Sequence, residues 1–403
     1  MDEQVIKSKQ PQFVGLDGKK YEDFSDLSTP CYIIDEKRLR QNGEVLLGIQ
    51  KRTGCKILLA QKAFSNYDLY PILENYLAGT EASGLYEARL GKEEMPDKEC
   101  HIFCAAYRQK DFDEILKWAD HIIFNSPHQL EQYGPRAKKV GKSIGLRINP
   151  ECSTQDGHEI YDPCAAGSRL GTTRSGWDEA MTTELIGLLD GLHFHTLCEQ
   201  NADALELTLK AVEEKFGEFL QNMKWLNMGG GHHITRVDYD IPLLEKCIKR
   251  ISEQYNLQIY LEPGEAVALN AGYLVTEVLD VLRNGKTLNG MLDMSAACHT
   301  PDVLEMPYRP TLMNADEAGK KAYTYRLGGP TCLAGDIVGD YSFDEMLYEG
   351  KRLIFGDMAI YSMCKNNTFN GMQLPNIYTL KEDGTFQLLA EFDYFDFKKR
   401  LGT

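Results

Sequence analysis

Several charged or reactive residues directly follow short apolar segments of the sequence. Lys62 comes after the apolar run 57–60, and comparable segments end in a carboxylate, a guanidinium, an imidazole or glycine; the full set is Lys62, Glu81, Arg147, His195, Gly229, Gly230, Gly231 and Glu262. Charged side chains seldom end a buried strand without a partner or a function. A partly desolvated lysine amine in such a position can act as a nucleophile toward an aldehyde.

The glycine run lies in NMGGGHH, residues 227–233. Three glycines let backbone N–H groups approach an anion such as phosphate, and the pattern is not the G-x-G-x-x-G of a dinucleotide site. A carboxylate opposite the phosphate, such as Glu262, could keep a pyridine nitrogen protonated while His195 lies flat on the ring. Lysine, phosphate site and carboxylate together are what pyridoxal phosphate requires.

Each of these residues also has an ordinary structural explanation. Lys62 could extend toward solvent from a strand end, and the glycine run could be a tight turn. His195 could be a hydrogen-bonded core histidine, and Glu262 the charge at a helix N-terminus. These separate explanations do not account for all of the residues lying at strand ends.

The elements that would position these residues alternate regularly along the chain. Amphipathic segments with helical spacing, such as DEAMTTELIGLLD and ADALELTLKAVEEKFGEFLQNM, separate eight apolar strand candidates. The candidates are KILLAQKA (56–63), GTEASG (79–84), HIFCAA (101–106), HIIFNSP (121–127), SIGLRINP (143–150), GLHFHTLC (191–198), WLNMGGG (225–231) and IYLEPGEA (259–266). Eight such units predict an α/β fold, a (β/α)8 TIM-type barrel over residues 38–270, with its chemistry at the carboxyl ends of the strands. A doubly wound open sheet is the alternative.

The pattern changes after residue 270. Segments such as YLVTEVLDVL, AYTYRLGG and IYTLKEDGTFQLLAEF are rich in β-forming residues, and Asp383-Gly384 is a hairpin turn signal. We therefore predict a C-terminal β domain over residues 271–403. The strand-like TPCYIID near residue 30 suggests that the N-terminal segment 1–37 completes this domain.

Composition restricts the class of protein. The formal net charge of −16 argues against nucleic acid as a partner and is compatible with a cationic substrate. Neither a membrane span nor a signal-peptide core is recognisable, so we expect no membrane association. The eleven cysteines are odd in number and lack paired zinc-type spacing, which predicts reduced thiols, a cytoplasmic location and no metal site.

Six motifs give the chain a family resemblance. LAQKAFS, HFHTLCEQNAD, LNMGGGHH, YLEPGEAV, GGPTCLAGD and CKNNTFNG resemble the fold-type III pyridoxal-phosphate decarboxylases, the group of ornithine and diaminopimelate decarboxylases. The resemblance extends from TPCYIID to TFNGMQLP. It implies an alanine-racemase-like barrel and β domain, and within the group it favours the branch that acts on carboxylated polyamines.

The resemblance also implies roles for individual residues. Lys62 would hold the cofactor covalently, His195 would stack on its ring and Glu262 would pair with its ring nitrogen. Phosphate binding would fall to the glycine run, aided by Tyr361 and Cys198. Cys332 would come from the second subunit of a homodimer with shared active sites, as the candidate acid that protonates the carbanion left by decarboxylation.

Three carboxylates are candidates for binding remote ammonium groups of the substrate: Glu265, Asp302 and Asp336. Glu265 stands where many relatives have arginine, and Leu333 stands where ornithine-type enzymes have aspartate. Both differences favour a longer, more cationic substrate. Asp302 could equally be a turn or helix-cap aspartate. Diaminopimelate or ornithine decarboxylation, and a non-catalytic cofactor-binding or regulatory homologue, remain the alternatives.

Overall fold

The computed structural model describes residues 5–7, 12–14, 20–22, 24–155 and 161–402. The chain divides into two compact units, one of residues 1–39 with 268–403 and one of residues 40–267. Each unit has its own sheet, and the two are described separately below.

The strands of the described residues are numbered along the chain. They are β1 (Val5–Lys7), β2 (Gln12–Val14), β3 (Lys20–Glu22), β4 (Cys31–Asp35), β5 (Lys56–Ala60), β6 (Gly79–Ala82), β7 (Glu99–Phe103), β8 (His121–Phe124), β9 (Ser143–Arg147), β10 (Gly191–His193), β11 (Trp225–Asn227), β12 (Gln258–Leu261), β13 (Gly272–Asn284), β14 (Thr287–Leu292), β15 (Asp316–Glu317), β16 (Tyr323–Gly328), β17 (Ile337–Phe343), β18 (Arg352–Gly356), β19 (Asn376–Leu380) and β20 (Thr385–Ala390).

The α-helices are numbered in the same way. They are α1 (Glu36–Thr53), α2 (Tyr70–Leu73), α3 (Leu85–Glu94), α4 (Gln109–Trp118), α5 (Pro127–Lys139), α6 (Arg174–Ala180), α7 (Thr183–Ile186), α8 (Ala202–Leu220), α9 (Ile241–Tyr255), α10 (Glu265–Ala268), α11 (Ala296–His299), α12 (Asp302–Glu305) and α13 (Tyr394–Lys399).

Strands β5 to β12 form a closed parallel barrel in chain order, with β9 paired to β10 and β12 paired to β5. Each of the eight predicted segments overlaps one strand, and helices lie between consecutive strands. The predicted (β/α)8 barrel is therefore confirmed, and the open-sheet alternative is wrong. Closure brings the carboxyl ends of all eight strands to one face.

The barrel interior is filled around Trp225. Its indole occupies space left by two glycines: a Cβ at Gly145 or Gly191 would lie 2.3 Å or 2.0 Å from the ring. The indole Nε1 donates to Ser143 Oγ at 2.9 Å, so the buried polar atom is satisfied. These glycines are needed for packing, because a side chain at either position would displace the largest residue of the interior.

One predicted helical segment is divided. DEAMTTELIGLLD contains the end of α6 and then α7, separated by Met181 and Thr182. The side chain of Thr182 accepts a hydrogen bond from the backbone N–H of Leu185 at 3.3 Å. This N-cap starts a new helix where apolar spacing alone suggests a continuous one.

The other unit contains a sheet in the order β1-β20-β19-β4-β13-β14-β16-β17-β15, with β18 also paired to β13. Strand β4 lies between β19, to which it is parallel, and β13, to which it is antiparallel. The hairpin of β19 and β20 turns at Gly384, whose φ is +84°, as the Asp-Gly signal predicts. Phe24, Ile33, Tyr273, Tyr378 and Phe386 belong to its apolar core.

Within the described residues, none of the helices combines the length and apolar character needed to cross a lipid bilayer.

Candidate active site

A cavity of about 290 Å³ opens at the carboxyl ends of the barrel strands. Five of the residues predicted from the sequence line it: Lys62, Glu81, Arg147, His195 and Glu262. Other lining residues were not predicted from the sequence, among them His193, Phe103 and Arg169. The alternation of His193 with His195 could have revealed the former, whereas Arg169 lies in the long loop after β9, where no strand pattern marks it.

Lys62 lies two residues beyond the end of β5. The chain turns there, with Ala63 N–H donating to Ala60 C=O at 3.1 Å, and Tyr70 donates through its hydroxyl to the neighbouring Gln61 at 3.0 Å. The Lys62 side chain is exposed, which differs from the expected partial desolvation. Lys62 therefore lines the cavity and does not lie within the barrel core.

Glu262 is buried directly after β12 and is held by two side chains. Its Oε2 lies 3.0 Å from His193 Nε2, and its Oε1 accepts a hydrogen bond from Asn227 Nδ2 at 2.5 Å. Burial opposes ionisation, but the adjacent His193 and the amide of Asn227 lower the Glu262 pKa. Glu262 is therefore a buried carboxylate that stays charged.

His195 lies just beyond β10, and the hydrogen bond that it accepts fixes its tautomer. The backbone N–H of Gly230 donates to His195 Nδ1 at 3.0 Å, so in the neutral ring the proton is on Nε2. Burial and the positive charges of Lys62 and Arg147 hold the His195 pKa well below its usual value. The imidazole is neutral at ordinary pH, which suits a flat aromatic surface.

Arg147 and Glu81 complete the charged lining of the cavity. Arg147 Nη2 donates to the backbone C=O of His195 at 3.1 Å, and its guanidinium lies 4.6 Å from the centre of the Phe103 ring. Burial lowers the pKa of Arg147 to about 10. Burial and the nearby charge of Glu262 raise the Glu81 pKa well above its usual value. Within one cavity, the surroundings therefore lower the pKa of one carboxyl group, Glu262, and raise the pKa of the other, Glu81.

The glycine run after β11 is required by close packing. A Cβ would lie 2.4 Å from Phe194 C=O at Gly229, 2.3 Å from Glu262 C=O at Gly230 and 1.9 Å from Leu197 C=O at Gly231. The N–H groups of Gly229 and Gly230 already donate to Asn227 Oδ1 and His195 Nδ1. Those two amides therefore already have acceptors within the barrel unit. Phosphate binding by Gly229, Gly230 and Gly231 stays a prediction.

Cys198 and Glu265 lie near the glycine run but do not line the cavity. A Cβ on Gly231 would come within 2.9 Å of the Cys198 backbone nitrogen, so Cys198 is adjacent to the run. Glu265 Oε2 lies 2.9 Å from His233 Nε2. Its carboxylate therefore already has a partner, and the predicted substrate contact by Glu265 stays untested.

Four predicted residues belong to the unit of residues 1–39 and 268–403, referred to below as the sheet-containing unit; they are Cys332, Asp302, Asp336 and Tyr361. Cys332 is exposed, and its backbone N–H donates to Asn370 Oδ1 at 2.9 Å. Tyr361 has a left-handed backbone, with φ of +47°. Of these four residues, Cys332 is the one that the structure shows as exposed.

The two aspartates are buried and bonded. Asp336 accepts hydrogen bonds from Ser295 Oγ at 2.9 Å, Thr331 Oγ1 at 2.7 Å and the backbone N–H of Ala297 at 3.2 Å. Asp302 is paired with Lys365. Both carboxylates already bind donors of their own unit, so the proposed contacts with substrate have no geometric support within this unit.

A group of potential metal ligands lies at the amino end of the barrel. Glu99, His101 and His121 place one ligand atom each within 4.8 Å of one another. The two imidazoles are stacked, with ring centres 3.9 Å apart and planes 9° apart, and Lys56 is paired with Glu99. A metal lies in the plane of each imidazole that binds it, and parallel stacked rings do not direct their lone pairs to one point. We interpret the group as packed and paired side chains.

The cavity side chains fit pyridoxal phosphate by their chemistry. Lys62 offers an amine, His195 a neutral imidazole surface and Glu262 an ionised carboxylate, all lining one cavity. A protonated pyridine nitrogen needs such a carboxylate, and an aldehyde needs such an amine. These residues would hold the reactive end and ring of the cofactor.

Comparison with known proteins gives the same chemistry. The family described as "Pyridoxal-dependent decarboxylase, C-terminal sheet domain" matches residues 31–359. A protein named carboxynorspermidine/carboxyspermidine decarboxylase from Campylobacter jejuni is 40% identical over 388 residues, covering 94% of this chain and 99% of the relative. A carboxyaminopropylagmatine decarboxylase from Synechocystis is also 40% identical, over 94% of this chain and 96% of the relative.

Solved structures agree with the fold. The crystal structure of carboxynorspermidine decarboxylase with norspermidine from Campylobacter jejuni superimposes with a TM-score of 0.85 at 39% identity, covering 93% of this chain and 100% of the other. A diaminopimelate decarboxylase superimposes with a TM-score of 0.80 at 19% identity over 99% of this chain and 98% of the other, a likeness of fold.

Proposed function

Because the chain belongs to the family of pyridoxal-dependent decarboxylases, we propose that it decarboxylates carboxynorspermidine or carboxyspermidine to the corresponding triamine in polyamine biosynthesis. The observation that carries this proposal is the 40% identity, over nearly the whole of both chains, to a relative named for these two substrates. The formal charge of −16 suits a polycationic substrate and product.

Pyridoxal phosphate, when bound, supplies a ring that accepts the electron pair left by loss of CO2. The chain's own groups would control that ring. Lys62 would hold the cofactor and release the product amine, and Glu262 would keep a proton on the ring nitrogen. His195, whose Nδ1 already accepts from Gly230, would pack against the ring and not donate a proton from that nitrogen.

The carbon that loses CO2 must then receive a proton. We assign that step to the thiol of Cys332, which is exposed on the sheet-containing unit. The proposal includes a homodimer in which Cys332 of one subunit completes the cavity of the other.

Tyr361, Cys198 and Gly231 would bind the phosphate of the cofactor. The proposal also includes a cytoplasmic location, which the cysteine pattern supports.

Charge recognition would distinguish the substrate from shorter amino acids. A carboxylated triamine has ammonium groups far from the reacting carbon, and buried or half-buried carboxylates are their natural partners. Glu265 is the first candidate because it is in the barrel unit and only partly exposed. Asp302 and Asp336 are weaker candidates because each already binds a side chain of its own unit: Asp302 pairs with Lys365, and Asp336 accepts a hydrogen bond from Ser295.

The equally similar relative from Synechocystis supports a second candidate substrate, carboxyaminopropylagmatine. The two kinds of substrate differ at the end remote from the carboxyl group: the agmatine derivative ends in a guanidinium, and the triamine derivatives end in an ammonium group. A planar guanidinium donates best to both oxygens of one carboxylate, whereas an ammonium group can donate to oxygens in various arrangements.

A parallel assay tests the proposal. Purified protein loaded with pyridoxal phosphate would be given carboxynorspermidine, carboxyspermidine, carboxyaminopropylagmatine, diaminopimelate and ornithine, with CO2 release and the amine product measured for each. We expect the highest kcat/KM for the two carboxylated triamines. A higher value for diaminopimelate or ornithine would overturn the substrate assignment. No turnover of any of them by cofactor-loaded protein would favour a non-catalytic homologue.

A further inference from the structure

His193 is a buried cavity residue whose one hydrogen-bonding side chain among the described residues is Glu262. It is the last residue of β10, only 1% exposed, and its Nε2 lies 3.0 Å from Glu262 Oε2. The ring packs nearly parallel to Phe103, with centres 5.6 Å apart and planes 17° apart. Strand and ring packing together direct one edge of the imidazole at the carboxylate.

The direction of this hydrogen bond follows from the charges. Burial lowers the His193 pKa, although Glu262 opposes that effect, so the imidazole is neutral. An ionised carboxylate only accepts hydrogen bonds, and therefore His193 must carry its proton on Nε2. The other nitrogen, Nδ1, is buried and has no hydrogen-bond partner among the described residues.

An unpaired buried acceptor costs free energy, and an apolar residue at position 193 would avoid that cost. Buried polar groups without a partner concentrate at functional sites, where they contribute to function instead of stability. The benefit here is the second hydrogen bond to Glu262: Asn227 holds Oε1 and His193 holds Oε2. With both oxygens held, the carboxylate plane is fixed.

We propose that His193 is a positioning residue that keeps Glu262 ionised and oriented toward the ring nitrogen of the cofactor. The inference rests on the proposed role of Glu262. The other titratable groups near Glu262 are Glu81, Arg147 and His101, on other barrel strands, and Lys62 in the same cavity; all four residues are retained when His193 is replaced.

Three substitutions separate the hydrogen bond from the volume of the side chain. In His193→Gln the amide nitrogen lies the same number of bonds from Cβ as Nε2, so the donor is retained. In His193→Asn the amide reaches only as far as Nδ1, and in His193→Phe the ring remains without a donor. His121→Gln is the matched control, because it changes a histidine at the opposite end of the barrel, at the start of β8.

We expect kcat to fall by about 10- to 100-fold in His193→Asn and His193→Phe, the range for a lost hydrogen bond to a charged group, and by less than about threefold in His193→Gln. The acid limb of the kcat profile should move to higher pH in the first two, because Glu262 loses a donor that favours its ionised form. The pH titration of the bound cofactor's visible absorbance should shift with it. His121→Gln should change none of these.

Equal losses in the Gln, Asn and Phe variants, with no shift of either pH profile, would overturn the inference. Full loss of activity in Glu262→Gln, together with normal activity in all three His193 variants, would also overturn the inference but would leave the role of Glu262 intact. Normal activity in Glu262→Gln would instead refute that role. Should the variants fail to fold, nitrogen NMR of ¹⁵N-histidine-labelled wild-type holoenzyme decides: we expect a neutral His193 with its proton on Nε2, and a charged ring or the other tautomer contradicts the inference.

Discussion

Glu265 and His233 form a largely buried pair in which 2.9 Å separates the carboxylate Oε2 from the imidazole Nε2. Their side chains are 16% and 9% exposed. Burial opposes protonation of His233, but the hydrogen bond and the charge of Glu265 raise its pKa above 6.5. The glutamate that distinguishes the EPGE motif therefore supports a histidine two residues beyond the glycine run.

The first prediction is a pH-dependent loss of stability in Glu265→Gln. A raised histidine pKa in the folded state stabilises the protein below the unfolded value, 6.5, and this stabilisation is lost as pH rises through the folded value. We expect the variant to lose about 1–2 kcal/mol of unfolding free energy near about pH 6 and less near about pH 9. Urea unfolding at the two pH values measures the difference.

Glu93→Gln is the control for this experiment. Glu93 forms an exposed i,i+4 pair with Arg89, and its loss should change stability by under about 0.5 kcal/mol at either pH. An equal destabilisation of Glu265→Gln at both pH values would mean that the charge of His233 does not contribute.

The same Glu265 variant tests the proposed substrate contact. If a substrate ammonium faces this carboxylate, kcat/KM for the carboxylated triamine should fall, by under about 1 kcal/mol if the pair is solvated and by more if it is buried. The visible absorbance of the bound cofactor should remain. An unchanged kcat/KM would show that Glu265 serves His233 alone.

Lys62 should be the lysine that holds the cofactor. Reduction of the native protein with borohydride should remove the visible absorbance and leave a stable pyridoxyl adduct on the peptide that contains Lys62. Lys62→Ala should show no such adduct while keeping its fold by circular dichroism, because the side chain is exposed. An adduct mapped to a different lysine would refute the assignment.

Shared active sites predict complementation between inactive chains. Lys62→Ala and Cys332→Ala homodimers should each be nearly inactive. After subunit exchange, a mixed dimer has one cavity with both wild-type residues, so up to about a quarter of the activity should return when the two chains are present in equal amounts and associate at random. No recovery after exchange verified by native mass spectrometry would mean that each chain forms its own site.

Gly231 and Gly141 form a matched pair for the packing role of the glycine run. Their φ values are +79° and +77°, but a Cβ at Gly231 would lie 1.9 Å from Leu197 C=O, whereas nothing lies within 4 Å of one at Gly141. Gly141→Ala should cost about 1–2 kcal/mol of backbone strain alone. Gly231→Ala should cost more, about 2–5 kcal/mol, through added overpacking. Equal costs in urea unfolding would contradict this explanation.

The barrel and its reactive residues were predictable because local patterns determine both. Apolar runs of strand length separated by amphipathic segments leave few alternatives to a closed parallel barrel. Lys62 and Glu262 follow such runs within two residues. Since the carboxyl ends of parallel strands share one face, position along the chain was enough to bring these two residues to one cavity.

Tertiary structure decided how each polar side chain is used. The Gly230 amide donates to His195, and Asp336 is enclosed by Ser295 and Thr331; these partners are between 5 and 41 residues away in sequence. Neither local propensity nor hydrophobic periodicity carries information about such pairings, because both depend on neighbours within one element. The sequence by itself therefore determined the fold class and the reactive groups. Only packing across the barrel determined that His193 faces Glu262 and that His233 faces Glu265, because those contacts arise when distant strands and loops are brought within hydrogen-bond distance.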